Sequence, residues 1–177
     1  ADLAFLVGHG SPSSMTLNSG EGSCYLGDKA WGSYSSSDRT GDLEYIVFMS
    51  CNVLKMDSPK NWRGRWRHGG YQEFTHGLAR PFSGLHMALG YQSIYRSIPQ
   101  SAGLEAEEFA ENLKEGLPVR LAWYEAVNDF RFWWWVDSDE NLPAIFYIRP
   151  HKDETIDEHE SRDYKCGDPE YLMDAFY

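Results

Sequence analysis

Leu43-Glu44-Tyr45-Ile46-Val47-Phe48-Met49 runs directly into Ser50-Cys51-Asn52. The run is short, apolar and rich in β-branched and aromatic residues, the pattern of a strand buried on both faces in an α/β protein. An earlier run of the same kind, Leu3-Ala4-Phe5-Leu6-Val7, leads into Gly8-His9-Gly10. In open α/β sheets, chemistry collects just beyond the carboxyl ends of the strands. Two such strands side by side can set the imidazole of His9 beside the thiol of Cys51. That pairing suits a cysteine nucleophile with a histidine partner.

A thiol reacts as its thiolate, and because a free cysteine has a pKa of about 8.5 it needs a base or a cation nearby at neutral pH. His9 can act as that base and later protonate a leaving group as general acid. Gly10 has no Cβ, so its backbone can approach a substrate carbonyl, and its N–H with that of Cys51 can form an oxyanion hole. Taken singly, Cys51 reads as a buried structural thiol and His9 as a histidine satisfied in a turn. Taken together at two strand ends, they read as a dyad. Gly8-His9-Gly10-Ser11-Pro12-Ser13 is not a serine-hydrolase elbow, since the central serine of G-x-S-x-G is missing.

The bulk properties narrow the classes. A chain of 177 residues suits one domain, spanning 1–177. Its net charge of −11 argues against a nucleic-acid or anionic-membrane surface, both of which need a basic patch. No apolar run approaches the ~20 residues of a membrane span, and there is no signal-peptide pattern. The chain opens inside strand-like sequence, and buried strands have neighbours. The domain is therefore expected to be incomplete at its N-terminus, with earlier strands supplied from upstream or by another chain. Cys24 and Cys166 are either one bridge, which would fit a secreted protein, or two unrelated thiols. The compartment stays open.

Along the chain, Ser11 to Gly41 is rich in Ser, Gly, Asn and Asp and reads as a long loop, with a short strand near Cys24-Tyr25-Leu26. Lys55 to Gly77 is again loop-like. Phe82 to Leu89 is expected to be a short helix burying Phe82, Leu85, His86 and Leu89, stopped by Gly90, with a strand over Tyr91 to Ile98. Leu104 to Lys114 is a helix with Leu104, Phe109, Ala110 and Leu113 on one side and glutamates elsewhere. Gly116 ends it, and Pro118 fits the first turn of a second helix over Val119 to Phe130. Phe132 to Val136 and Ala144 to Ile148 read as strands.

Other candidate ligands are weaker. His151, Asp153, Glu154, Asp157, Glu158 and His159 are the right residue types for a hard divalent ion. Their spacing fits no known loop, so the segment reads as solvated and acidic, and no metal is assigned. His68 and His76 lack ligand-like spacing. His86 is expected to be a satisfied core histidine. Trp62, Trp66 and Trp133 to Trp135 read as packing residues rather than a sugar-binding platform.

The order of apolar strand, His-Gly, long loop, apolar strand and Ser-Cys is similar to the caspase–gingipain–legumain clan of cysteine peptidases. It most resembles a poorly characterised bacterial and archaeal family of caspase-like proteins. The matching segments are 2–12, Trp31-Gly32, 43–54, 62–66, Phe82-Ser83-Gly84-Leu85-His86 with Leu89-Gly90-Tyr91, and 109–126. The resemblance implies a caspase-like three-layer α/β sandwich with a mostly parallel sheet that lacks its earliest strands. It also implies His9 and Cys51 as the dyad, backbone amides of Gly10 and Cys51 as oxyanion donors, a peptide or protein substrate and no cofactor. Ser50 stands where caspases carry Ala after a pocket-forming Gln, so no aspartate preference carries over. No legumain-like or gingipain-like preference is supported, and no substrate-binding residue is legible. The rival expectations are a binding or structural module on the same fold, and a cysteine-dependent transferase or ligase.

Overall fold

The computed structural model describes residues 3–11, 14–16, 24–25, 43–54, 85–95, 101–134, 140–157 and 173–176. Its centre is a five-stranded sheet in the order β1 (Leu3–Val7), β5 (Tyr45–Met49), β6 (Met87–Tyr91), β7 (Pro143–Ile148), β8 (Met173–Phe176). β1, β5 and β6 pair in parallel; β7 runs against β6, and β8 against β7. Four of the five strands thus point the same way, and the protein is of mixed α/β class with a mostly parallel sheet. A second sheet of three short antiparallel strands, β2 (His9–Ser11), β3 (Ser14–Thr16) and β4 (Cys24–Tyr25), follows β1. Much of that segment was expected to be loop; only the strand at Cys24-Tyr25 was legible.

The period of two in a strand sorts the core into two halves. Tyr45, Val47, Met49, Met87, Leu89, Tyr91, Ile145 and Tyr147 pack with Phe109, Leu113, Ala122, Trp123 and Val127 from two helices. These helices are α1 (Ser101–Lys114) and α2 (Val119–Trp134). The alternate residues Ile46, Phe48, Ala88, Ala144, Phe146 and Ile148 pack on the other side with Met15, Val53, Leu54 and Leu85. β5 is buried at every position, as its composition requires. β1 is not: among the described residues it is an edge strand, with Phe5 and Val7 exposed.

The helix hairpin closes as its sequence dictates. Gly116 takes φ 82°, the left-handed conformation that costs glycine least. Gly116 N–H donates to the carbonyl of Leu113 and Leu117 N–H to that of Asn112, the paired bonds of a Schellman end. Pro118 supplies the carbonyl that opens α2. Asn112 Nδ2 donates to Ala122 O at 3.2 Å, and Trp123 Nε1 to Gly90 O at 3.3 Å, fixing helix to helix and helix to sheet.

Three expected elements differ. Leu85-His86 is extended chain leading into β6, so no helix covers Leu85 to Leu89. The sheet claims that segment because Met87, Ala88 and Leu89 pair with both β5 and β7. Of the strand expected over Tyr91 to Ile98, Tyr91 alone is strand; 92–95 form an irregular strap and 96–98 lie outside the described residues. Phe132 to Trp134 continue α2 instead of forming a strand. The rest of that run, the loop to Gly77, the bulk of the tail and Cys166 lie outside the described residues.

At the amino ends of the parallel strands a buried carboxylate ties the fold together. Glu154 Oε2 accepts from Tyr45 Oη at 2.9 Å and pairs with His86 Nδ1 at 2.9 Å, while Oε1 pairs with His151 Nδ1 at 2.5 Å. Its backbone carbonyl accepts from Val119 N, capping α2. One residue thereby joins β5, the entry to β6, the turn after β7 and the start of α2. Removing a buried carboxylate strands three polar partners, each costing roughly 1–3 kcal/mol when desolvated and unpaired. Glu154→Ala is expected to lower unfolding free energy by several times as much as Asp153→Ala, whose carboxylate meets Arg120 at the surface. Urea unfolding of the two variants tests this.

Candidate functional site

The opposite pole, at the carboxyl ends of β1 and β5, carries the residues singled out in the sequence. In the parallel register Val7 faces Met49. His9 lies two residues beyond Val7 and Cys51 two beyond Met49, so pairing alone delivers the His-Gly and Ser-Cys segments to the same end of adjacent strands. Gly8 N–H still reaches Met49 O at 3.4 Å, and β2 then departs from the main sheet. His9 lies on the exposed side of β2.

Gly10 is lodged against the turn that follows β5. A Cβ there would overlap Ser50 Oγ, the Cys51 carbonyl oxygen and Val53 Cγ2. The structure thus brings Gly10 directly onto Cys51, and only glycine fits. Cys51 is a free, half-buried thiol whose Sγ donates to Tyr95 O at 3.4 Å. The next residue, Asn52, takes φ 54°, a left-handed conformation that asparagine tolerates better than most. This sharp turn lets the chain reverse immediately after the thiol. Ser50 is fully buried and its hydroxyl has no hydrogen-bond partner among the described residues.

The turn is held by a strap that sequence reading placed in a strand. Leu54 N–H donates to Tyr91 O at 3.1 Å and Asn52 N–H to Ser93 O at 2.8 Å. With the thiol on Tyr95 O, carbonyls at 91, 93 and 95 all face residues 51–54. The other edge of the strap meets the start of β7 through Gln92 N to Leu142 O and Asn141 N to Ile94 O.

Glu105 was expected among the charged residues of α1, yet it is fully buried. Tyr91 Oη and Tyr95 Oη both donate to its Oε2 at 2.9 Å, and the two rings stack with centroids 4.4 Å apart. Its spacing was the available signal: Glu105, Phe109 and Asn112 share one buried helix stripe at i, i+4, i+7. Burial pushes this carboxyl up from 4.5 to about 7, and the two tyrosine hydroxyls oppose the rise. Burial, then the charge of Glu105, pushes the Tyr91 hydroxyl well above its usual range.

The tail residues considered for a metal are placed differently from the solvated segment expected. His151 and Glu154 are buried and join His86 in the hub at the other pole. Asp153 is exposed and paired with Arg120, which holds its carboxyl below the usual range; Glu158 and His159 lie outside the described residues. His86, His151 and Glu154 are a zinc-type donor set. The rings of His86 and His151, however, stack 10° apart with centroids at 3.6 Å. An imidazole coordinates through its in-plane lone pair, so an ion in the plane of one ring lies well off the plane of the other. Each ring instead addresses its own oxygen of the Glu154 carboxylate, so the cluster functions as a hydrogen-bonded hub. His86 is thus a bonded core histidine, as expected, though on an extended segment rather than a helix.

Two outcomes test the pole. Gly10→Ala forces the β2 backbone away from the Cys51 carbonyl, and overpacking of this kind costs roughly 1–3 kcal/mol; thermal melting should show it, whereas Gly103→Ala, where a Cβ meets nothing, should not destabilise. Glu105 binds its proton more tightly in the folded chain than its ordinary value of 4.5 allows unfolded. Its contribution is complete below that value and is lost as pH rises to about 7. Stability should therefore fall between pH 4.5 and 7 by a component that Glu105→Gln removes, measured by urea unfolding across that range.

No helix among the described residues is long and apolar enough to cross a membrane. A search of curated proteins finds no match to this chain. The family model described as "Domain of unknown function (DUF6345)" matches residues 1–167, nearly the whole sequence, and the protein belongs to that family.

Proposed function

We propose that the protein is a cysteine endopeptidase of caspase-like type, with Cys51 as nucleophile and His9 as general acid and base. The observation that carries this reading is the lodging of Gly10 against Ser50 and Cys51 at the carboxyl ends of two parallel strands. The Cys51 thiolate would attack a peptide carbonyl carbon, forming a tetrahedral oxyanion that the backbone amides of Gly10 and Cys51 would receive. Collapse breaks the C–N bond as imidazolium at His9 gives its proton to the departing amine. Water, deprotonated by His9, then hydrolyses the thioester and frees the thiol. The α/β class and the mostly parallel sheet support a caspase-like sandwich as its scaffold.

Two observations favour the rival reading, a binding or structural module on the same fold. The thiol proton is engaged by the Tyr95 carbonyl, and His9 lies on the exposed side of β2. A cysteine-directed peptidyl acyloxymethyl ketone separates the two. Peptidase chemistry predicts labelling at Cys51 in native protein, abolished in Cys51→Ala and slowed at least about a hundredfold in His9→Ala, the lower end of the usual general acid–base contribution. Labelling no faster than that of urea-unfolded protein would leave the binding module as the better account.

A further inference from the structure

We propose that Glu105 is a positioning residue for Cys51, acting through the strap of residues 92–95; this rests on reading Cys51 as the nucleophile. The chain of contacts is short and every link is polar. Glu105 Oε2 accepts both the Tyr91 and Tyr95 hydroxyls at 2.9 Å. Those tyrosines bracket the strap, one at the end of β6 and one at its far end. The backbone carbonyls of Tyr91, Ser93 and Tyr95 accept from Leu54 N, Asn52 N and Cys51 Sγ. The carboxylate on α1 therefore fixes the rail on which the nucleophile turn lies.

The alternation is what makes this a device rather than a coincidence. A strap that offers carbonyls at 91, 93 and 95 to one neighbour must turn its intervening groups to the other. Gln92 N and Ile94 O are accordingly taken by Leu142 and Asn141. With both edges committed, rotation of the strap about its own axis would break bonds on both sides. Anchoring two ring hydroxyls on one carboxylate stops that rotation, because stacked Tyr91 and Tyr95 must then move together. Trp123 edges onto Tyr91 from α2 and fixes the stack from behind. Both hydroxyls use one oxygen; the other, Oε1, is buried without a hydrogen-bond partner among the described residues. The anchor thus needs an acceptor at one position and no second charge-stabilising contact. Burial that raises the carboxyl to about 7 agrees with a role as acceptor rather than as permanent anion.

The test uses the full chain with Glu105→Ala, Glu105→Gln, Tyr95→Phe and Tyr91→Phe. Amide hydrogen exchange is read at Asn52 and Leu54, and the iodoacetamide rate of Cys51 is mapped by peptide mass across pH 6–9. Loss of one hydrogen bond corresponds to about fivefold. Glu105→Ala and Tyr95→Phe are expected to speed exchange at Asn52 by at least about that factor, with Val47 in β5 unchanged. The alkylation rate should shift by a comparable factor in the same two variants. Glu105→Gln keeps the acceptor and should restore both to near the native values; Tyr91→Phe should act mainly at Leu54. A merely structural carboxyl would lower the melting temperature and move exchange at Val47 and Asn52 together, overturning the proposal. If Glu105→Ala fails to fold, Tyr95→Phe decides, and unchanged Asn52 exchange and alkylation overturn it. Responsive exchange with no native labelling of Cys51 by the acyloxymethyl ketone would reject the peptidase reading while leaving the positioning role established.

Discussion

Two buried carboxylates hold the ends of a sheet whose central strands are covered on both faces, and the rest of the molecule is arranged around them. β5 and β6 offer no solvent-facing side, so the polar backbone at each strand end must find partners inside the protein or leave it. At the amino pole Glu154 collects Tyr45, His86 and His151. At the carboxyl pole Glu105 collects Tyr91 and Tyr95. In each case a tyrosine spans the boundary, its ring within the helix-side core and its hydroxyl on the carboxylate. A buried carboxylate is unfavourable alone and becomes tolerable when donors converge on it.

The two poles nevertheless do different things. Glu154 uses both oxygens and its carbonyl, so the amino pole is fully committed to joining β5, β6, β7 and α2. Glu105 acts at one remove, since the groups it fixes belong to a strap whose other side faces Cys51. The contrast follows from strand polarity. Parallel strands put all their carboxyl ends together, and the loops leaving them converge on one pole. β1 and β5 therefore deliver Gly10 and Cys51 to one place, while the amino pole receives only chain entries and the end of antiparallel β7.

Legibility in the sequence followed how local each determinant was. The strands at Leu3 to Val7, Tyr45 to Met49 and Ala144 to Ile148 were readable because unbroken apolar runs have few other homes in a domain of this size. The helix pair was readable from its period and from Gly116, whose left-handed turn is a local requirement. Leu85 to Leu89 was misread because a short apolar run suits a helix or a buried strand equally, and pairing to β5 and β7 decided it. Phe132 to Trp134 was misread for the opposite reason: aromatic residues favour strands on average, but continuation of α2 outweighed that preference. Glu105 and Glu154 read as surface charge in the sequence, because Tyr91, Tyr95, Tyr45 and His86, whose bonds justify their burial, lie 10 to 109 residues away, with His151, three residues from Glu154, as the local exception.

The sequence by itself determined the α/β class, strands β1, β5 and most of β7, the helix hairpin and the placing of a His-Gly and a Ser-Cys segment at strand ends; the central strand β6 it left open between helix and strand. These rest on composition, period and turn chemistry, all properties of neighbouring residues. Tertiary structure alone decided that β1 lies at the edge of the described sheet, that His151 and Glu154 are core, and that Glu105 stands behind the Cys51 turn. The reason is physical. Whether a charged side chain can be buried depends on donors brought from elsewhere in the chain, and only the folded arrangement supplies them.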